Sequence, residues 1–387
     1  MMISSANWNY PTNVKVGAGR IAELAELCKS MGILSPLVIT DPGLAVLPMV
    51  EGLVENLNNS GLNCGLFSNI QANPTGENVM DGTDWYRKHQ HDGVIAFGGG
   101  SALDAGKAVA LMVGQDRPIW DFEDVGDNYL RVKVDGMAPV IAVPTTAGTG
   151  SEVGRASVIT DQENHIKKII FHPRMLPEQV ILDPELTVGL PPAITAATGM
   201  DALSHNLEAL CSPFYHPIAT GIAIEGIRLV QEYLPRAVAD GNDIEARTQM
   251  LVCSSMGATA FQKGLGAMHA LAHPLGGLYN AHHGTLNAIL MPYVLKANRK
   301  EIEKRIERLT QYMGFETPGF DGFMYWILSL REQLGIPHTL AALDIDETRA
   351  ETVAKMAIED PSSGGNPVSF TAEDYELVFL NAVNGVL

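Results

Sequence analysis

Cysteine is scarce and dispersed in this 387-residue chain: Cys28, Cys64, Cys211 and Cys253 form no CxxC and no close pair. That excludes a disulfide scaffold and leaves a zinc-thiolate site without ligands, so the four read as free thiols of a reducing compartment. Positive charge is also short, with 26 Lys and Arg against 44 Asp and Glu and a formal net charge of −18. Such a balance repels the phosphates of nucleic acid and the anionic face of a membrane, which leaves a small diffusible substrate as the expected partner. No apolar run reaches the roughly 20 residues of a membrane span. The opening MMISSANWNY has neither the basic n-region nor the apolar core of a signal peptide, so a cytoplasmic protein is expected.

The rest of the composition, 46% hydrophobic and 18% charged, is that of a well-packed soluble protein with room for two domains. As far as Leu190, short apolar runs alternate with amphipathic stretches, the rhythm of a sheet with helices on its faces. Strands are expected at 14–16, 36–40, 64–67, 93–97 and 140–143, and helices at 20–31, 44–57, 78–89 and 102–113. Beyond Pro191 the apolar spacing becomes three to four residues, which predicts helices at 193–210, 219–233, 244–262, 286–298, 301–313, 323–334, 348–359 and 372–386. The segment DPELTVGLPP, from Asp183 to Pro192, interrupts both patterns and marks the join. The expected organisation is an α/β domain with a Rossmann-like parallel sheet over residues 1–188, followed by an all-helical domain over residues 189–387.

Two loops of the first half carry chemistry. The strand GVIAF (93–97) runs into Gly98-Gly99-Gly100-Ser101 and then a helix, so glycines without Cβ atoms and a helix N-terminus together form an anion site. It is not a Walker loop, because Ser101 stands where that motif needs glycine and Ala108 where it needs Ser or Thr; Leu103 likewise breaks a GxGxxG fingerprint. The second loop, Pro144 to Glu152 (PTTAGTGSE), follows another strand and offers hydroxyl and backbone donors to a pyrophosphate and ribose. Ligands of open parallel sheets sit at the carboxyl ends of strands, where both loops lie. Asp41 ends a third strand. There it would either accept hydrogen bonds from an adenosine ribose and repel a 2′-phosphate, favouring NAD over NADP, or serve only as the turn residue before Pro42-Gly43.

In the second half, the stretch from Gly264 to Asn287 holds four of the chain's eleven histidines, His269, His273, His282 and His283, among glycines and almost no charge. Imidazole is the commonest metal ligand and general acid/base, so the cluster points to a metal site, a proton relay, or both. Further upstream Asp201 and His205 are four residues apart, as are His269 and His273, so each pair shares one helix face. One carboxylate with several imidazoles suits Fe²⁺ or Zn²⁺.

The chain resembles the iron-containing, group III alcohol dehydrogenases of the dehydroquinate-synthase-like superfamily. The likeness runs almost end to end: Asp41, Asn73-Pro74-Thr75, GGGSALDAGKA from Gly98, PTTAGTGSEV from Pro144, GMDALSH from Gly199 and GLGAMHALAHPLGGLYNAHHG from Gly264. The resemblance implies Asp201, His205, His269 and His283 as metal ligands and His273 as a non-ligand acid/base near the nicotinamide; His282 has no implied role. Dinucleotide contacts are implied at Asp41, Asn73, Gly98, Gly99, Gly100, Ser101, Thr145, Thr146, Thr149 and Lys167. Gly154 and Gly221 depart from residues frequent in the family, Thr and the central Asp of a TDA triplet. The implied protein is a homodimeric alcohol dehydrogenase or aldehyde reductase that uses Fe²⁺, with Zn²⁺ as the alternative ion, and NAD in preference to NADP. Its substrate is a small alcohol or aldehyde, bound in a cleft between the two domains. The glycines around the histidines are expected to leave room for nicotinamide and alcohol. The rivals are another reaction on this scaffold, such as maleylacetate reduction, hydroxyacid-oxoacid transhydrogenation or a lyase reaction, and a nucleotide-binding sensor without chemistry.

Overall fold

The computed structural model describes residues 6–8, 11–164 and 166–387. The chain divides into two compact units, Met1–Gly189 and Leu190–Leu387.

In the first unit the apolar runs become strands: β1 (Ala6–Trp8), β2 (Asn13–Val16), β3 (Pro36–Ile39), β4 (Gly65–Phe67), β5 (Gly93–Gly98), β6 (Val140–Pro144), β7 (Ala156–Asp161), β8 (Ile166–Phe171) and β9 (Gln179–Leu182). Seven of them form one sheet in the order β1-β2-β9-β6-β5-β3-β4. Every pairing in it is parallel except β1 with β2. The unbroken burial of β3, β5 and β6 follows from their position inside a parallel sheet that is covered on both faces. On one face α1 (Leu24–Ser30) and α3 (Pro48–Asn59) set Leu24, Cys28, Val50 and Leu57 against Val38, Ile95, Phe97 and Ile141. Between these two helices lies the short turn α2 (Pro42–Ala45). The helices α4 (Gly76–Lys88) and α5 (Gly100–Met112) complete the unit. A Cβ on Gly106 of α5 would stand 2.6 Å from that of Ala96, so glycine is what lets this helix lie directly on β5.

Sequence patterning misses four strands of this unit, the three-residue β1 among them. The hairpin β7–β8 stands outside the main sheet, and its half-buried positions give no continuous apolar run. β9 is only four residues long and follows a proline-containing turn.

The hairpin is fastened to α5 by a buried ion pair. The Lys107 ammonium, 1% exposed, lies 3.2 Å from Asp104 and donates to the carbonyls of Ser151 and Ala156. Asp104 in turn accepts from the Ser151 hydroxyl (2.5 Å) and the Val158 N–H (2.9 Å). The lysine that follows Gly106 is thus a structural staple.

The second unit is helical: α6 (Pro192–Cys211), α7 (Pro217–Ala239), α8 (Ile244–Ala260), α9 (Ala267–Tyr279), α10 (His283–Tyr312), α11 (Phe320–Gln333), α12 (Ala350–Glu359) and α13 (Ala372–Asn384). Two stretches expected as separate helices, 286–298 and 301–313, are one 30-residue helix, α10. The charged run Lys296 to Lys304 that suggests a break is its solvent side, while Asn298, Ile302 and Ile306 continue the buried side. Patterning also gives no separate helix for α9, because its sequence is rich in glycine and contains Pro274.

All four cysteines are free, and burial pushes the thiols of Cys28, Cys64 and Cys211 up to about 12. Among the described residues no helix is long and apolar enough to cross a membrane.

Replacing Lys107 by Met should lower unfolding free energy by about 3–5 kcal/mol, the usual cost of stripping one partner from a buried ion pair, as read by urea denaturation. A loss below about 1 kcal/mol would show that the staple is dispensable.

Candidate metal centre and dinucleotide loops

A 20-residue helix, α6, supplies the base of the candidate metal centre. Residues at i, i+4 and i+7 share one helix face, and on α6 these are Asp201, His205 and Glu208, all buried. Asp201, His205 and His269 of α9 form a group whose ligand atoms all lie within 4.8 Å of one another. The His205 and His269 rings stack at 4.7 Å between centroids. His283, the first residue of α10, places Nε2 3.7 Å from Asp201 Oδ1 and is 28% exposed. Close helix contact makes this possible: a Cβ on Gly284 would lie 2.3 Å from the Ala197 carbonyl oxygen of α6.

Three acceptors converge here. Asp201 Oδ1, His269 Nε2 and His283 Nε2 lie 2.9, 3.2 and 3.2 Å from the side-chain nitrogen of Asn287, whose own oxygen is buried without a hydrogen-bond partner. A buried carboxylate ringed by imidazoles, with no thiolate, is a donor set that fits Fe²⁺ or Zn²⁺. Burial pushes the Asp201 carboxyl up, but His205, His283, His269 and Asn287 more than offset this and hold it at about 2. Its charge is therefore present throughout the neutral range.

Two of these imidazoles are oriented by carboxylates. His269 donates from Nδ1 to Glu208 (2.7 Å), and His273 from Nδ1 to Asp360 (2.8 Å). The His273 ring stacks on His283 at 5.4 Å and 10°. His282 is exposed at the N-cap of α10, where its Nδ1 lies 3.4 Å from the Thr285 hydroxyl. Sequence reasoning misses Glu208, Asn287 and Asp360. The first two leave a signal, because Glu208 extends the Asp201/His205 face and Asn287 stands four residues after His283. Asp360 leaves none, since it lies 87 residues from its partner.

Three glycines of this region have roles in the backbone itself. Gly264 has φ +134°, and Gly266 lies so close to Glu208 that a Cβ would stand 3.0 Å from its carboxylate. With Gly284 they serve backbone turning and helix contact.

In the first unit, the loops after β3, β5 and β6 meet. β4 lies on one side of β3 and β5 on the other, so the chain reverses direction across the sheet at this point. Such reversals are where open α/β sheets bind ligands. Gly98 has φ +142°, a conformation that side-chain-bearing residues rarely adopt. A Cβ on Gly99 would meet Thr146 Oγ1 at 3.4 Å, and one on Gly100 would meet Thr149 Cγ2 at 2.5 Å. The α5 N-terminus has no side-chain cap, which leaves its first N–H groups and the positive dipole end for an anion. Ser101 donates its hydroxyl to the Ala72 carbonyl, so the hydroxyl is engaged within the protein while the backbone N–H lies at the open helix N-terminus. The adjoining Asn73-Pro74-Thr75 turn is tied to β7 through Thr160. Thr145 is buried and bonded through its N–H to Gly98.

Asp41 caps α2: its Oδ1 accepts from the N–H groups of Gly43 and Leu44. The turn role is therefore real, and Oδ2 has no hydrogen bond of this cap. Lys167 on β8 lies opposite Thr160 and forms no ion pair with the described carboxylates. Burial draws its pKa below the ordinary lysine value, with Asp104 pulling the other way.

Comparison with known proteins places both halves of the chain in one family. The family model described as iron-containing alcohol dehydrogenase matches residues 11–184, and that of the Fe-containing alcohol dehydrogenase family, C-terminal, matches residues 195–383. The chain is 36% identical to 4-hydroxybutyrate dehydrogenase of Cupriavidus necator, covering 95% of this chain and 97% of that protein. It is 33% identical to NAD-dependent methanol dehydrogenase of Bacillus methanolicus, covering 97% and 100%. Among solved structures, 1,3-propanediol oxidoreductase superposes with a TM-score of 0.90 at 33% identity, over 99% of this chain and 100% of that one.

Gly100→Ala should destabilise the protein by about 1–3 kcal/mol, because its methyl group would have to displace Thr149. Guanidinium denaturation of the two proteins side by side tests this, and equal midpoints would refute the close approach.

Proposed function

We propose, because this chain belongs to the iron-containing alcohol dehydrogenase family, that its site residues divide between a dinucleotide site on residues 1–188 and a metal site on residues 189–387. The protein is a metal-dependent, NAD(H)-linked oxidoreductase that interconverts small alcohols and their carbonyl products. Its metal ligands are Asp201, His205, His269 and His283. Fe²⁺ is the assigned ion, with Zn²⁺ as the alternative. The observation that carries this assignment is the convergence of one buried carboxylate with two buried imidazoles, and a third imidazole beside them.

Each residue has a definite task. Asp201 supplies the negative charge that offsets a divalent cation, and the histidines add neutral nitrogen donors. When bound, the ion supplies Lewis acidity to the alcohol or carbonyl oxygen, and NAD(H) accepts or provides the hydride. Asp360 holds the Nδ1 proton of His273, which leaves Nε2 to take or give the proton that accompanies turnover. Gly98, Gly99, Gly100 and Ser101 present backbone N–H groups to the pyrophosphate; Thr145, Thr146, Thr149 and Asn73 add polar groups, and Lys167 adds a positive charge. Asp41 selects NAD by pairing with the ribose and repelling a 2′-phosphate. The protein acts as a homodimer in the cytoplasm, a location supported by its four unpaired thiols.

His269→Ala should lose bound metal and dehydrogenase activity together, as measured by elemental analysis and NADH absorbance with a panel of alcohols and aldehydes. Full turnover by rigorously metal-free wild-type protein would exclude the mechanism. The wild-type enzyme should use NAD better than NADP. Asp41→Asn, which keeps the cap but removes the charge, should narrow that preference by about tenfold, equivalent to ~1.4 kcal/mol. Equal kcat/KM of the wild-type enzyme for the two cofactors would refute this role.

A further inference from the structure

We propose that Glu208 is a positioning residue for the metal centre: it fixes the tautomer of His269 and, through the same carboxylate, sets α9 in register with α6. The inference rests on the metal-site assignment above.

Three donors meet the two oxygens of this side chain. Oε2 accepts from His269 Nδ1 (2.7 Å) and from the Gly266 N–H (2.8 Å), and Oε1 accepts from the Met268 N–H (2.7 Å). Glu208 is 4% exposed, so its charge is screened very little and all three bonds are charge-assisted. Gly266 is the N-cap of α9 and has no side chain to cap it; Glu208, reaching from α6, caps the helix and puts a negative charge at the positive end of its dipole. His269 is the third residue of that helix, so the group that anchors its backbone also anchors its ring.

The chemical consequence lies at the opposite ring nitrogen. A neutral imidazole carries one proton, and an ionised carboxylate can only accept. With that proton held at Nδ1, Nε2 keeps its lone pair and faces Asn287 and the convergent acceptors. Carboxylate partners of this kind orient ligand histidines and raise their basicity. Because Asp201, His205 and Glu208 lie on one face of α6, the same helix that presents two donors directly also orients a third from a distance. Asn366, which accepts from the Ala267 N–H at 3.2 Å, supports the α9 N-terminus through the backbone.

Glu208→Gln discriminates. One carboxylate oxygen is replaced by an NH₂ group, which stands either at Oε2, facing His269 Nδ1 and the Gly266 N–H, or at Oε1, facing the Met268 N–H. Facing Nδ1, it drives His269 to the Nε2–H tautomer and removes the lone pair. Facing a backbone N–H, it loosens the α9 N-terminus. Full-length protein stripped of metal is titrated with Co²⁺, without nucleotide or alcohol, and followed by calorimetry and visible absorption; thermal unfolding in chelator is recorded in parallel. Glu208→Gln should bind Co²⁺ about 10–100-fold more weakly, with an altered visible spectrum. Affinity within twofold of wild type and an unchanged spectrum would overturn the proposal, even if the metal-free variant melts earlier, because that is the pattern of a helix cap alone.

Nitrogen-15 spectra of histidine-labelled, metal-free wild-type protein provide a test that needs no variant. At a pH where the ring is neutral, His269 should carry its single proton on Nδ1, and the Nε2–H tautomer would overturn the inference. A failure of the underlying assignment looks different: wild type would take up no Co²⁺, or His269→Ala would bind it as wild type does.

Discussion

The period of the α-helix governs the second unit. Over the 20 residues of α6, positions 201, 205 and 208 come round to one side, so a carboxylate, an imidazole and a second carboxylate face the same way without any loop to hold them. Everything else in the centre is brought to that face. α9 docks by its N-terminus on the third of these residues, and α10 docks by a glycine on the backbone one turn before the first. Placing these side chains on helices rather than loops limits how far they relax when charge enters or leaves.

The first unit obeys a different constraint. A parallel sheet buried on both faces can expose function only where its strands end, and its loops must be held still there. The Lys107–Asp104 pair supplies that restraint: it joins α5, the Ser151 turn and β7 into one hydrogen-bonded body beside the glycine turn. The buried ammonium has lost much of its hydration, and desolvation lowers its pKa while Asp104 and Glu152 pull it back up.

The parts of the fold legible from sequence were those with a strong period or a continuous apolar run. β3, β5 and β6 were visible because both faces are buried, and α6 to α8 because their apolar spacing is helical. The β7–β8 hairpin was hidden because strands lying outside a two-faced sheet have no such run. α10 read as two helices because a stretch of charge on a solvent face resembles a linker when burial is unknown. Residue chemistry singled out the donor types, the histidine cluster and the Asp201/His205 pair. It could not single out Asp360, whose importance arises only when a distant segment folds against His273. Nor could it show that Asp41 already caps a helix with one of its two oxygens.

Close contacts at glycines also set which substitutions evolution can reach. At Gly100 the obstructing atom belongs to the Thr149 side chain, so a smaller residue at 149 could make room for a Cβ, and the two positions are free to change together. At Gly284 the obstruction is the Ala197 carbonyl oxygen, which every residue type possesses. No exchange at 197 removes it. Position 284 is therefore closed to paired substitution, and any lineage that keeps His283 beside Asp201 in this helix packing must keep the glycine after it.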